Sequence, residues 1–311
     1  MERAGIELGI RAPLCAVEKA AMIADTAMLN YYLIPETHPK FTGVDAFEAL
    51  QAIVQKIENV VLGTGIVNVF SRSKKKILDL ASKIYYETNE NFVLGLGTSA
   101  PVVVEDMYHM KFEKPVSRIK NYTQYIKSHY NGPIYWSAVG DKMIQLAAEY
   151  ADGVIFFLKP ESEIRHSIKI LKNKLDSLGK SHSSFEIISI LPTYVNDHEK
   201  KGRNALRLTL ANYIGANEFY SKPLEKIGFK KEVHIIRQNF LRYGLANASA
   251  HVSDKMVEEL GIFGGSKECA IKIKEFSERT KIKTVVAAFD LPKSGYDRDF
   301  FKNLHNLVSR F

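Results

Sequence analysis

Short apolar runs alternate with stretches of helical period along almost the whole chain. The first run covers residues 4–10, and a helix is expected over about 17–29. A second run, 31–34, stops at Pro35; Asp45, with Glu48 three residues later, then makes a capping-box-like start for a helix to residue 56. Further strands are expected over 91–97, 134–137, 153–158, 186–195 and 284–289. Helices over 74–86, 141–150 and 266–279 separate them, and Ile164, Ile168, Leu171, Leu175 and Leu178 mark the clearest helical face. Residues 199–260 are mostly helical in pattern, with breaks at Gly215, Pro223, Gly228 and Gly244, and read as a helical insertion between strands seven and eight. Phe300, Leu304, Leu307 and Val308 define a last helix.

The third strand departs from the pattern. In the stretch 59–72, NVVLGTGIVNVFSR, the run Val60-Val61-Leu62 breaks at Gly63-Thr64-Gly65 and then resumes. Glycine inside a strand pattern signals a bulge, or a place where a flat ligand comes close to the backbone. A plain turn between strand and helix is the alternative. Eight strands, each followed by helix, is the count of a (β/α)8 TIM barrel. The rival, a doubly wound open sheet, would usually have fewer strands and a Gly-x-Gly-x-x-Gly after the first, which is absent.

Composition narrows the function. With 311 residues, 46% of them apolar, the chain can bury a large core. No apolar run approaches the ~18 residues a membrane span needs, and residues 1–10 lack a signal-peptide pattern, so the expectation is a cytoplasmic protein. Cys15 and Cys269, two cysteines without metal-ligand spacing, indicate neither a disulfide framework nor a zinc site and read as core or half-buried residues. The net charge of +8 comes from scattered lysines, with no nucleic-acid motif, and reads as a solvated surface that tolerates a polyanionic small ligand.

In such a barrel the site lies at the carboxyl ends of the strands. The ends carry Glu7; Glu36, Thr37 and His38; Gly65, Ile66, Asn68 and Arg72; Gly97, Thr98 and Ser99; and Ser137, Ala138 and Gly140. The last three precede a helix amino terminus, where free N–H groups can hold a phosphate. Glu7 alternates with Ile6 and Leu8 and points inward, as an acid or as half of an ion pair with Arg72 or Arg11. His38 can equally cap a loop, Arg72 be a surface charge, and Thr98 and Ser99 be turn hydroxyls.

The residues resemble the luciferase-like group of flavin- and deazaflavin-dependent oxidoreductases over essentially the whole chain. Leu62-Gly-Thr-Gly-Ile-Val-Asn-Val-Phe-Ser-Arg72 is similar to its third-strand signature and Leu94-Gly-Leu-Gly-Thr98 to its fourth. Phe112-Glu-Lys-Pro-Val-Ser-Arg118, Pro133-Ile-Tyr-Trp-Ser-Ala138 and Ala151-Asp-Gly-Val-Ile155 resemble later segments in the same order. Gly5-Ile-Glu7 and Met256-Val-Glu-Glu-Leu-Gly-Ile-Phe-Gly264 point, within that group, to the branch using coenzyme F420, which includes methylenetetrahydromethanopterin reductase.

The resemblance implies one luciferase-like barrel domain over 1–311, a homodimer, and hydride transfer between F420 and a small molecule, above all a methylene-tetrahydromethanopterin-like pterin. An FMN-dependent monooxygenase and a catalytically silent relative are the alternatives. It further implies a bulge with a cis Gly65–Ile66 peptide behind the coenzyme ring, and Glu7 and Glu36 as the catalytic pair. The coenzyme contacts it implies are Glu36, Thr37, Thr64, Gly65, Ile66, Asn68, Gly97, Thr98, Ser137, Ala138 and Gly140. Two departures stand out: Glu36-Thr37 where the group commonly has Asp-His, and Lys74 where a proline is usual.

Overall fold

The computed structural model describes residues 1–36 and 44–311. Its strands are β1 (Arg3–Leu8), β2 (Tyr31–Ile34), β3 (Val61–Thr64), β4 (Val67–Asn68), β5 (Phe92–Gly97), β6 (Ile134–Ser137), β7 (Gly153–Phe157), β8 (Glu186–Val195), β9 (Ile262–Gly264) and β10 (Thr284–Phe289). All pairings are parallel, and β10 bonds both to β8 and to β1, which closes the sheet. The result is the expected (β/α)8 TIM barrel, with β4 continuing β3 beyond a break. The short β9 was not expected; it pairs with the far end of β8 at Thr193–Val195.

The helices are α1 (Leu14–Thr26), α2 (Ala46–Ile53), α3 (Lys74–Glu87), α4 (Pro115–Lys127), α5 (Asp141–Tyr150) and α6 (Glu161–Ser177). After β8 come α7 (Glu199–Ala216), α8 (Glu218–Leu224), α9 (Lys230–Tyr243), α10 (Leu245–Ser249) and α11 (Asp254–Leu260), the expected insertion. Two more, α12 (Ser266–Thr280) and α13 (Arg298–Val308), complete the ring. Asp45 caps α2 by accepting from the Phe47 and Glu48 amides, and Ser73 and Asp297 cap α3 and α13 in the same way. The α2 helix ends at Ile53, short of residue 56.

Successive strand residues face opposite ways, so each strand is split between two cores. Tyr32, Ile34, Val154, Phe156, Val285 and Ala287 pack outward against the helices. Tyr31, Leu33, Val93, Ile155, Val286 and Ala288 fill the barrel interior. A third cluster, built from Leu210, Ile214, Val233 and Met256, holds the insertion against Leu158 and Phe263. No helix among the described residues is long and apolar enough to cross a membrane.

Candidate active site

Strand parity decides what faces the barrel mouth. Ile6 and Leu8 pack outward, so Glu7 between them points inward, opposite Ala288 of β10. It is buried, and its Oε2 has no hydrogen-bond partner among the described residues. Neither expected ion pair forms. Arg72 is engaged by Glu36 and Asp45, and Arg11 lies 3.3 Å from Asp290. Burial pushes the Glu7 carboxyl well above the usual carboxylate range, and the nearby Asp290 carboxylate adds to the shift.

The break in the third strand is a bulge. Leu62 pairs with Phe92 but Val67 with Leu96, so five steps of chain face four. Thr64 spans the gap: its hydroxyl donates to the Gly95 carbonyl and accepts from the Gly95 amide, both at 2.8 Å. The Thr64 side chain is thus buried in the wall. The Gly65–Ile66 peptide bond is cis, as the resemblance implies. A Cβ added at Gly65 would stand 2.5 Å from Glu7 Oε2, so the glycine leaves the room the carboxyl occupies. Ile66 extends over Gly97 of β5, with Ser137 of β6 beside it. Asn68 accepts from the Phe70 amide, while its buried Nδ2 has no partner among the described residues.

Glu7, Gly65, Ile66, Gly97 and Ser137 therefore form one arc across neighbouring strand ends. Glu36 sits beside it, tied down by other groups: Arg72 Nη1 at 2.7 Å, the Ser71 hydroxyl at 3.2 Å and the Asn68 amide at 3.3 Å. Burial raises its pKa against the pull of Arg72. Arg72 is accordingly half-buried in a network and is no surface charge. Thr98 and Ser99 are half-buried, and Thr37 and His38 lie outside the described residues.

Ala138 is buried, whereas Gly140 is exposed at the start of α5, whose first turn has no side-chain cap. Lys159, buried at the end of β7, donates to the Val139 carbonyl at 2.6 Å, and burial lowers its pKa to about 8. The arrangement suits a flat ring lying on the bulge and an anionic tail at α5. The buried Asn68 donor, without a partner among the described residues, is the feature that fits such a ring.

A small cavity adjoins Glu7 and includes Gly9, Phe157, Tyr213 and Asp290 in its lining. Phe157, Tyr213 of α7 and Tyr220 of α8 meet edge-to-face, with ring centres 4.8, 5.6 and 5.7 Å apart. None of these, nor Asp290, was singled out from the sequence. Asp290 directly follows the eighth barrel strand, so reading that strand's end as the others were read would have found it. Cys15 is exposed, contrary to expectation, because it falls on the outer face of α1, while Cys269 is buried. No cluster suited to a metal ion occurs among the described residues.

The chain is 23% identical to the 5,10-methylenetetrahydromethanopterin reductase of Archaeoglobus fulgidus over 291 residues, covering 84% of this chain and 86% of that one. Its fold superposes on the coenzyme F420 dependent tetrahydromethanopterin reductase of Methanopyrus kandleri with a TM-score of 0.83 at 17% identity, over 99% and 97% of the two chains. An F420-dependent secondary alcohol dehydrogenase, solved with an F420-acetone adduct, superposes with a TM-score of 0.75 at 14% identity, over 99% and 98%. The luciferase-like monooxygenase family matches residues 127–282, half of the chain. By that match the chain belongs to the luciferase-like monooxygenase family.

Proposed function

We propose that this protein is a coenzyme F420-dependent oxidoreductase acting on a methylene-tetrahydromethanopterin-like pterin. The observation that carries the reading is Glu7, a buried carboxyl with a free oxygen, facing the Cβ-less Gly65 at the barrel mouth. The likeness to the archaeal reductases supports the choice of coenzyme and substrate class. A bound reduced deazaflavin supplies a hydride to an electron-poor carbon.

The protein's part is to position two rings and provide a proton. Gly65 and Ile66 back the coenzyme ring, and Asn68 Nδ2 donates to one of its acceptors. Gly97, Thr98 and Ser137 flank it. The amides after Ala138 and Gly140, with Lys159 near, hold the anionic tail. Glu7, in its acid form, gives its proton to a bridging nitrogen of the substrate; the O–H bond breaks, the N–H bond forms, and the N–C bond of the methylene bridge opens to an iminium carbon. Glu36, held by Arg72, fixes the bulge from the side of β2 and so positions the coenzyme contacts. A homodimer is part of the same proposal, checked by sedimentation.

The test is anaerobic mixing of the protein with reduced F420 and methylene-tetrahydromethanopterin. Oxidation of the coenzyme at a rate set by enzyme concentration is expected; turnover only with reduced FMN and oxygen would overturn the reading.

A further inference from the structure

Strand register places a second carboxyl next to Glu7. Val286 and Ala288 of β10 face the interior, and the same alternation turns Asp290, the residue after the strand's end, toward the cavity. Glu7 is paired with Ala288, so Asp290 lies one inward step above it on the adjoining strand. Gly9 opposite makes the space: a Cβ there would stand 2.5 Å from Asp290 Oδ1. Each carboxyl keeps one buried oxygen without a partner among the described residues, Glu7 Oε2 and Asp290 Oδ1. Both line the same cavity.

We propose that Glu7 and Asp290 act as one carboxyl pair holding a single proton, with Arg11 fixing the ionised member at Asp290 so that Glu7 carries the proton into the cavity. The proposal rests on the reading of Glu7 as the acid. Arg11, half-buried, contacts Asp290 Oδ2 and is the cation that meets the pair among the described residues. One cation cannot offset two adjacent carboxylates away from water, so one of the two stays neutral. Among the described residues the other titratable groups near the pair are phenols: Tyr213 from α7, Tyr220 from α8, Tyr194 of β8, Tyr296 after β10 and, from the outer side of the wall, Tyr32 of β2. Tyr32 donates to the Val17 carbonyl and Tyr296 to the Phe289 carbonyl, so neither supplies a proton to the carboxyls. Asp290 is a positioning residue that acts on the reaction through Glu7.

The test follows the carboxyl carbons of 13C-labelled Glu and Asp by NMR against pH, on the full chain without coenzyme. Signals are assigned with Glu7→Gln and Asp290→Asn. Glu7 is expected to titrate above the ordinary range, and Asp290→Asn to lower its midpoint by about one pH unit or more. Arg11→Gln, which alters a half-buried side chain, is expected to move part of the titration amplitude from Glu7 to Asp290. In turnover, Asp290→Asn shifts the alkaline limb of kcat/KM to lower pH and leaves the KM for coenzyme unchanged.

A Glu7 midpoint that ignores Asp290→Asn, with no amplitude moved by Arg11→Gln, would overturn the pair. So would two carboxylates ionised together at neutral pH. The carboxyl titration needs no coenzyme: absent turnover with reduced F420 defeats the proposed function alone, and an unresponsive Glu7 in an active enzyme defeats the pair alone.

Discussion

Gly65 controls where Glu7 can be. A methyl group at this position meets the far end of the Glu7 side chain first and the Leu33 Cβ at 3.1 Å second, so the carboxyl swings away before the backbone moves. Gly65→Ala is therefore expected to lower kcat at least about 100-fold, the scale of one general acid, while unfolding shifts by about 1 kcal/mol. Equal losses in activity and stability, measured by steady-state kinetics and denaturant melts, would contradict this. Glu7→Gln keeps the shape and removes the acid, so kcat should fall at least as far with coenzyme affinity intact.

Glu7 also leaves a mark on stability. Its folded pKa is raised, so the native state holds the proton more tightly than the unfolded chain does. The stabilising contribution is complete below the ordinary carboxylate pKa of ~4.3 and is lost as pH rises through the folded value. Thermal melts of wild type and Glu7→Gln should thus converge in acid, with the variant gaining on wild type toward alkaline pH. Lys159 runs the other way, lowered to about 8, and cancels in the comparison. A constant difference between the two proteins across pH would show that Glu7 titrates normally.

At the level of elements, the bulge depends on a side chain replacing a ladder bond. Thr64→Val removes the hydroxyl that serves both Gly95 groups and leaves a buried amide and carbonyl unpaired, at a cost of about 1–3 kcal/mol. Gly95→Ala drives a Cβ into the Thr64 carbonyl oxygen of the backbone and should destabilise at least as much. Chemical denaturation reads both; a Thr64→Val protein as stable as wild type would mean the hydroxyl does not bridge the bulge.

The bulge was legible because Gly63-Thr64-Gly65 interrupts an apolar run, and the capped helices because Asp45 precedes Glu48 by three residues. The Glu36–Arg72 pair was not legible, since 36 positions separate its members and only the fold joins them. The aromatic wall of Phe157, Tyr213 and Tyr220 was hidden for a similar reason: two of its rings come from an insertion whose helical pattern says nothing about what it leans on.

At the scale of the whole molecule, closure of β10 onto β1 brings the two ends of the chain's strand series together. Alternation within β1 was enough to turn Glu7 inward, but Asp290 lies 283 residues later, and its adjacency to Glu7 appears only once the barrel closes. Closure also fixes the site as a set of strand ends on a rigid wall, with the insertion forming one side of the cavity beside Glu7. The short β9, pairing with Thr193–Val195, anchors that insertion to β8.

On the proposed function, this mouth is built for a deazaflavin. Titration of the purified protein with coenzyme F420 and, separately, with FMN, followed by ring fluorescence, tests it most directly. Saturable binding of F420 and no comparable binding of FMN is the predicted result. Tight FMN binding without F420 binding, or binding of neither, contradicts it.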